Sequence, residues 1–471
     1  MNIRTSPRPL SLALLAAFCL NATAAETVSR AEDRESVAVT IYNDSLALVK
    51  EVRRIPFERG ANSIALRDVS AQIRPETASL RARSGGELRL IEQNFDFDLL
   101  TPQKLLEKYI GREVTVIKTN PATGAETREQ AVVLASNNGV VLKFADRIET
   151  GMPGRIAYGS IPPNLRERPT LVVQLESAAS GPQKTELSYL TSGLSWRADY
   201  VAELADDETK LDLAGWVTLT NQSGASYGNA RLQLVAGDVN RVQEEMLAEY
   251  APAAPIAMAR KAPMAREELF EYHLYTLGRP TTMLDNQTKQ VALLSAAGIA
   301  ARKEYRLAGD SWYYRGLSPD LGRAQKVSVF VEFDNRGGDL GQPLPKGIVR
   351  VYKKDSRGNA LFVGEDRIDH TAKNETVRLK LGEAFDVKAT RKQTDFRKIS
   401  DKVYESGFRV ELSNAKNIPV TVNVVEPVPG DWEVLTESQK HAKGDAHSAV
   451  WQVSVPAEGK ATLTYSVRMR W

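Results

Sequence analysis

The chain has 471 residues, 42% hydrophobic and 26% charged, a globular composition that excludes a wholly disordered or collagen-like protein. Its 62 basic and 59 acidic residues give a net charge of +3, too near neutral for an overall nucleic-acid footprint. Four histidines and one cysteine leave little material for a zinc cluster or a thiol enzyme, so no cofactor is expected.

Residues 1–25 read as a secretory signal. Arg4 and Arg8 form a positive start, residues 10–20 an apolar stretch, and Ala22-Thr23-Ala24 a small-x-small cleavage site. The apolar stretch is shorter than the roughly 20 residues that span a bilayer. Cleavage would remove Cys19 along with both arginines, leaving no thiol for a disulfide, a nucleophile or a metal. The expected product is a periplasmic or secreted protein, not an integral membrane protein, held together by apolar burial.

The length suits two to four domains. Residues 35–98 alternate β-branched runs with Asn-Asp-Ser and Gly turns, as in Val37-Ala38-Val39-Thr40-Ile41-Tyr42, and predict an N-terminal β domain. Residues 99–154 open with the one clear helix, where Pro102 follows Thr101 and Leu105, Leu106 and Tyr109 recur at helical spacing. Three short strands follow, and this part reads as a small barrel-like insert. Residues 155–240 are the most strongly β, and Trp196 or Trp216 is the expected core anchor. Residues 241–267 change character: Ala, Pro and Met replace β-branched residues, which predicts a flexible linker suited to contacting apolar partners. Residues 268–471 return to strands and predict the second part of a β-sandwich. The expected fold is therefore mainly β: a multi-domain β-sandwich with a small barrel-like insert and one short helix.

Candidate chemistry is sparse. His273, in Glu271-Tyr272-His273-Leu274-Tyr275, reads either as a base or metal ligand beside Glu271 or, more simply, as a strand residue among aromatics. His441 and His447 lie in a polar stretch without a recognised ligand spacing. Ser195 has Gly193 two residues before it, but Arg197 stands where a nucleophile elbow needs its second glycine. Asp96 and Asp98 would share one face of a strand, without the other ligands of a calcium loop. Lys388, Arg391, Lys392, Arg397 and Lys398 form a basic run that reads as a charged strand edge or as a dock for an anionic glycan or lipid. Trp312, Tyr313 and Tyr314 offer sugar-stacking faces if exposed and core packing if not.

Five stretches form a recognisable set: residues 190–200 (LTSGLSWRADY), 232–240 (LQLVAGDVN), 272–277 (YHLYTL), 382–387 (GEAFDV) and 426–432 (EPVPGDW). From about residue 171 to 471 the chain resembles a bacterial domain of unknown function that is also similar to the C-terminal part of the mucoidy inhibitor A family. The resemblance implies a mostly β domain without established catalytic residues, and a link to capsule or envelope state. The expected function is non-catalytic binding or scaffolding in the cell envelope, with a protein or glycan partner and no nucleic acid. The alternatives are a metal-assisted hydrolase of envelope material built on His273, and a carbohydrate-binding module built on Trp312, Tyr313 and Tyr314.

Overall fold

The computed structural model describes residues 26–470 except 44, 138, 163–164, 238–264, 270–271, 319–320 and 322–324. Residues 1–25, read above as a leader, Glu271, and residues 241–264 of the expected linker lie outside the described residues. The protein is mainly β, with 65% strand and 4% helix. The chain divides into one unit of residues 1–36 and 50–189 and a second of residues 37–49 and 190–471.

In the first unit, strand Gly60–Arg67 lies between Glu26–Ser29, with which it runs parallel, and Thr170–Ser177, which also pairs with Leu88–Asp96. Period-two burial is plain in strand Leu46–Phe57, where Glu51, Arg53, Ile55 and Phe57 are buried while Lys50 and Arg54 are exposed. Two of those inward residues are charged, and they survive burial by pairing. The Arg53 guanidinium donates to Glu51 Oε1 at 2.7 Å and to the Ser29 and Arg67 carbonyls at 3.0 and 2.8 Å, and Arg34 approaches the other Glu51 oxygen at 2.5 Å.

Helix Pro102–Lys108 forms as its sequence predicts, with the Thr101 hydroxyl accepting from the Lys104 N–H at 3.1 Å. Leu106 and Tyr109 pack on Val116, Val133 and Leu142 of a five-stranded antiparallel sheet. That sheet is open, which corrects the barrel-like reading of residues 99–154. Its terminal strands, Ile148–Thr150 and Arg155–Ala157, have three residues each and pair inward rather than with each other.

The second unit is built on a 13-stranded sheet. Its main path runs Ala360–Ile368, Gly347–Lys354, Leu194–Leu204, Lys210–Asn221, Gln287–Ala308, Gln325–Asp334, Thr376–Ser400, Val403–Asn414, Lys460–Arg470, Asp431–Glu437. Strand Val420–Pro427 leaves this path, pairing parallel with the end of Gln287–Ala308 and antiparallel with Ser448–Val455. The C-terminal core packs Val422, Val424, Trp451 and Val453 of this branch with Phe408, Val410, Leu463 and Tyr465 of the main path. A second sheet places Tyr227–Ala236 between Tyr272–Thr276 and residues 38–42, the latter parallel.

Trp196 is buried as expected, Trp216 is half-buried, and the largest fully buried side chain among the described residues is Trp451, which sequence reading passed over. Its indole stacks on Tyr465 at 4.4 Å, Tyr465 on Phe408 at 5.2 Å, and Phe408 meets Tyr314 edge-on at 5.1 Å. Trp451→Ala should cost about 3–5 kcal/mol, the range for emptying a buried aromatic site. Urea unfolding followed by circular dichroism checks this, with the half-buried Trp432→Ala as the milder comparison.

Candidate functional site

The sequence-predicted residues occupy separate settings. His273 is half-buried on strand Tyr272–Thr276, opposite Ala236 on one side and Glu268 on the other. Among the described residues, no group of three His, Cys, Asp or Glu side chains is placed to share a metal ion. Asp96 binds Arg166 at 2.8 Å and Asp98 binds Lys108 at 2.7 Å, so both carboxylates are held in ion pairs. Ser195 lies in a strand opposite Thr220. His441 does not sit in a plain solvated loop: its Nδ1 lies 2.9 Å from Glu437, and its ring lies between Trp432 and Trp451.

Of the three neighbouring aromatics, Trp312 is 47% exposed, whereas Tyr313 and Tyr314 are buried. Only Trp312 therefore offers a face to solvent. Tyr314 belongs instead to a polar cluster that sequence reading missed. Arg391 and Glu426 are both fully buried, with Nη2 donating to Oε1 at 2.6 Å. The Tyr314 hydroxyl donates to Glu426 Oε2 at 3.2 Å, and the guanidinium lies 4.9 Å from the Tyr313 ring centre. A Cβ at Gly309 would collide with the Glu426 carboxylate, so glycine makes room for the pair. Burial raises the Glu426 pKa above the ordinary carboxylate value, against the pull of Arg391.

This changes the reading of the basic run. Strand Thr376–Ser400 pairs with Gln325–Asp334 only as far as Ala389 and with Val403–Asn414 from Val387 on, so most of the basic run is paired on one side, but Arg391 is buried and not available to a glycan or lipid. The signal for its burial was phase. Val387, Ala389, Arg391 and Gln393 share one face, as do Val420, Val422, Val424 and Glu426.

A second charged group is open to solvent. Glu208 accepts from Lys303 at 2.8 Å and from Lys353 at 2.7 Å, with all three side chains a little under one-third exposed. Burial pushes the Glu208 carboxyl up, but the two ammonium groups prevail and its pKa lies below the ordinary value. These groups line a cleft of about 240 Å³ whose other walls include Leu204, Val329, Val331, Val363 and Leu381. Beside it runs Ala360–Ile368, the terminal strand of the sheet, with Leu361 54% and Phe362 55% exposed.

Residues 185–471 match the family described as Domain of unknown function (DUF4139). The chain belongs to that family. No curated protein matches the chain. Within the family region, the stretches that stood out in the sequence mostly build turns and packing. Asp199 bridges Arg350 at 3.1 Å and Thr218 at 2.6 Å, Tyr200 donates to the Pro345 carbonyl at 2.8 Å, and Tyr275 donates to that of Pro343 at 2.9 Å. Gly237 has φ +132°, and a Cβ there would meet the Tyr272 ring at 2.5 Å. Phe385 is the exception, 86% exposed.

Removing one member of the buried pair should cost more than removing both. Arg391→Met is expected to destabilise by about 3–5 kcal/mol, and Arg391→Met with Glu426→Leu to recover most of that loss. Urea unfolding of the two single variants and the double variant measures the coupling.

Asp199 gives a pH test. Burial raises its pKa, but Thr218, Arg350 and Arg197 together bring it below the ordinary value. A carboxyl with a depressed folded pKa stabilises the protein above its unfolded pKa of about 3.9 and loses that contribution as pH falls through the folded value. Asp199→Asn should cost about 2 kcal/mol at pH 7, the scale of a hydrogen bond to a charged group. The gap to wild type should narrow when urea midpoints are measured at successively lower pH below about 4.

Proposed function

We propose that this protein is exported and acts by binding a protein partner in the cell envelope, without catalysing a reaction. The carrying observation is the terminal strand Ala360–Ile368. Natural sheet edges are usually blunted by charge, because free N–H and C=O groups invite another strand. Here the second half lies against strand Thr376–Ser400, where Gly364 abuts the Leu381 backbone and Asp366 accepts from the Lys380 N–H at 2.7 Å, with Glu365 and Arg367 exposed beside it. The first half instead presents Leu361, Phe362 and Val363. Strand addition by an extended apolar segment fits that surface, with backbone hydrogen bonds supplying affinity and alternate side chains selectivity.

Three further points support the reading. The N-terminal 25 residues have the pattern of a leader. The likeness of the C-terminal part to mucoidy inhibitor A favours a role in envelope state. A protein partner is preferred to a glycan because two of the three candidate stacking rings, Tyr313 and Tyr314, are buried. Among the described residues no helix is long and apolar enough to cross a membrane.

Leu361→Lys with Phe362→Lys should remove most partner recovery after cross-linking of intact cells while leaving thermal unfolding within a few degrees of wild type. Unchanged recovery would count against this strand, and a chain found in the cytosol with residues 1–25 attached would overturn the export reading.

A further inference from the structure

The cleft beside the terminal strand is assembled from three local departures from regular geometry. Opposite Val351 and Tyr352 stand Gly364 and Phe362, so Val363 is an extra, bulged residue. Opposite Val329 and Phe330 stand Gly382 and Lys380, so Leu381 is bulged as well. Both bulged residues line the cleft. Glu208, which also lines it, adopts φ +61°, a left-handed conformation that costs a non-glycine residue energy. Bulges commonly re-aim side chains beside functional sites, and a strained residue held at a cavity invites the same reading.

The charges do not cancel. Lys303 and Lys353 share one carboxylate, Glu208. The other acid in the lining, Glu383, is engaged by Lys380 at 2.9 Å and by the Ser328 hydroxyl at 3.1 Å. One ammonium charge is thus left over inside a mostly apolar recess, where a further anion would be held more strongly than in water. Each ammonium has three N–H donors and gives one to Glu208, so donors remain for a further acceptor. At 240 Å³ the cleft has room for about eight water-sized groups.

We propose that this cleft binds a straight-chain monocarboxylate of about eight carbons, its head between Lys303 and Lys353 and its tail against Leu381, Val363, Val329 and Val331. The proposal rests on the reading of the protein as a binder and names a small ligand for it. The ligand's carboxylate would supply the second negative charge that the two lysines, sharing Glu208, lack, and its chain would cover the apolar walls.

Isothermal titration of the full chain with sodium octanoate at pH 7 should give one saturable site. Acetate, which lacks the tail, and octylammonium, which carries the wrong charge, should give none. Lys303→Met and Lys353→Met should each weaken octanoate at least tenfold, Lys353→Arg should keep it within a few-fold, and Leu381→Asp should abolish it, with urea unfolding confirming that each variant is folded. Absence of octanoate binding to wild type, equal binding of octanoate and octylammonium, or unchanged affinity in both folded Lys→Met variants would overturn the proposal. Loss of octanoate binding alone, with partner recovery still dependent on Leu361 and Phe362, would retire the cleft and leave the binding function standing. Loss of both dependences would retire both.

Discussion

Two strands of 22 and 25 residues, Gln287–Ala308 and Thr376–Ser400, set the constraint that the second unit obeys. At about 3.3 Å per residue, straight strands of that length would run roughly 70–80 Å, far beyond ordinary strands. They must change neighbours along their length. Gln287–Ala308 pairs first with Lys210–Asn221, then with Gln325–Asp334 and Val420–Pro427. Thr376–Ser400 passes from Gln325–Asp334 to Val403–Asn414. The register shifts beside each handover, at residues 297–298 and 384–387, and further bulges lie within the paired stretches. The charged cleft lies along the stretch still paired with Gln325–Asp334, where Leu381 bulges before the second handover begins at Val387.

Charge in this protein is sorted by enclosure. Arg391 and Glu426 are sealed in the core, where the pair and its tyrosines fix which faces meet but no solute can arrive. Lys303, Lys353 and Glu208 keep partial access to water. Buried ion pairs contribute less to stability than their Coulomb attraction suggests, because desolvation opposes it, so their worth lies more in excluding alternative packings. The open group is the one with capacity for an additional partner.

The β character, the N-capped helix and the turns were legible because they depend on local chemistry. The Asp355 to Gly358 turn shows this: Asp355 accepts from the Arg357 and Asn359 N–H groups, and Gly358 takes φ +83°. The burial of Arg391 was present in the alternation of its strand but was masked by four basic neighbours within ten residues. Glu426 was likewise hidden at the end of a valine row. What the sequence did not reveal is distance across the fold. Glu208, Lys303 and Lys353 are separated by 95 and 145 positions, and only the strand order brings them together. The open five-stranded sheet, read as barrel-like, failed for the same reason, because closure depends on whether its last strands meet.

The sealed pair also governs how the chain can change over generations. A substitution that makes either Arg391 or Glu426 apolar strands a lone charge in the interior, whereas the two changes together leave a greasy match. Drift at these positions must cross a valley, so they are expected to persist or to be replaced jointly, and sequences that descend from this one would carry that linkage as a record of which strands face each other.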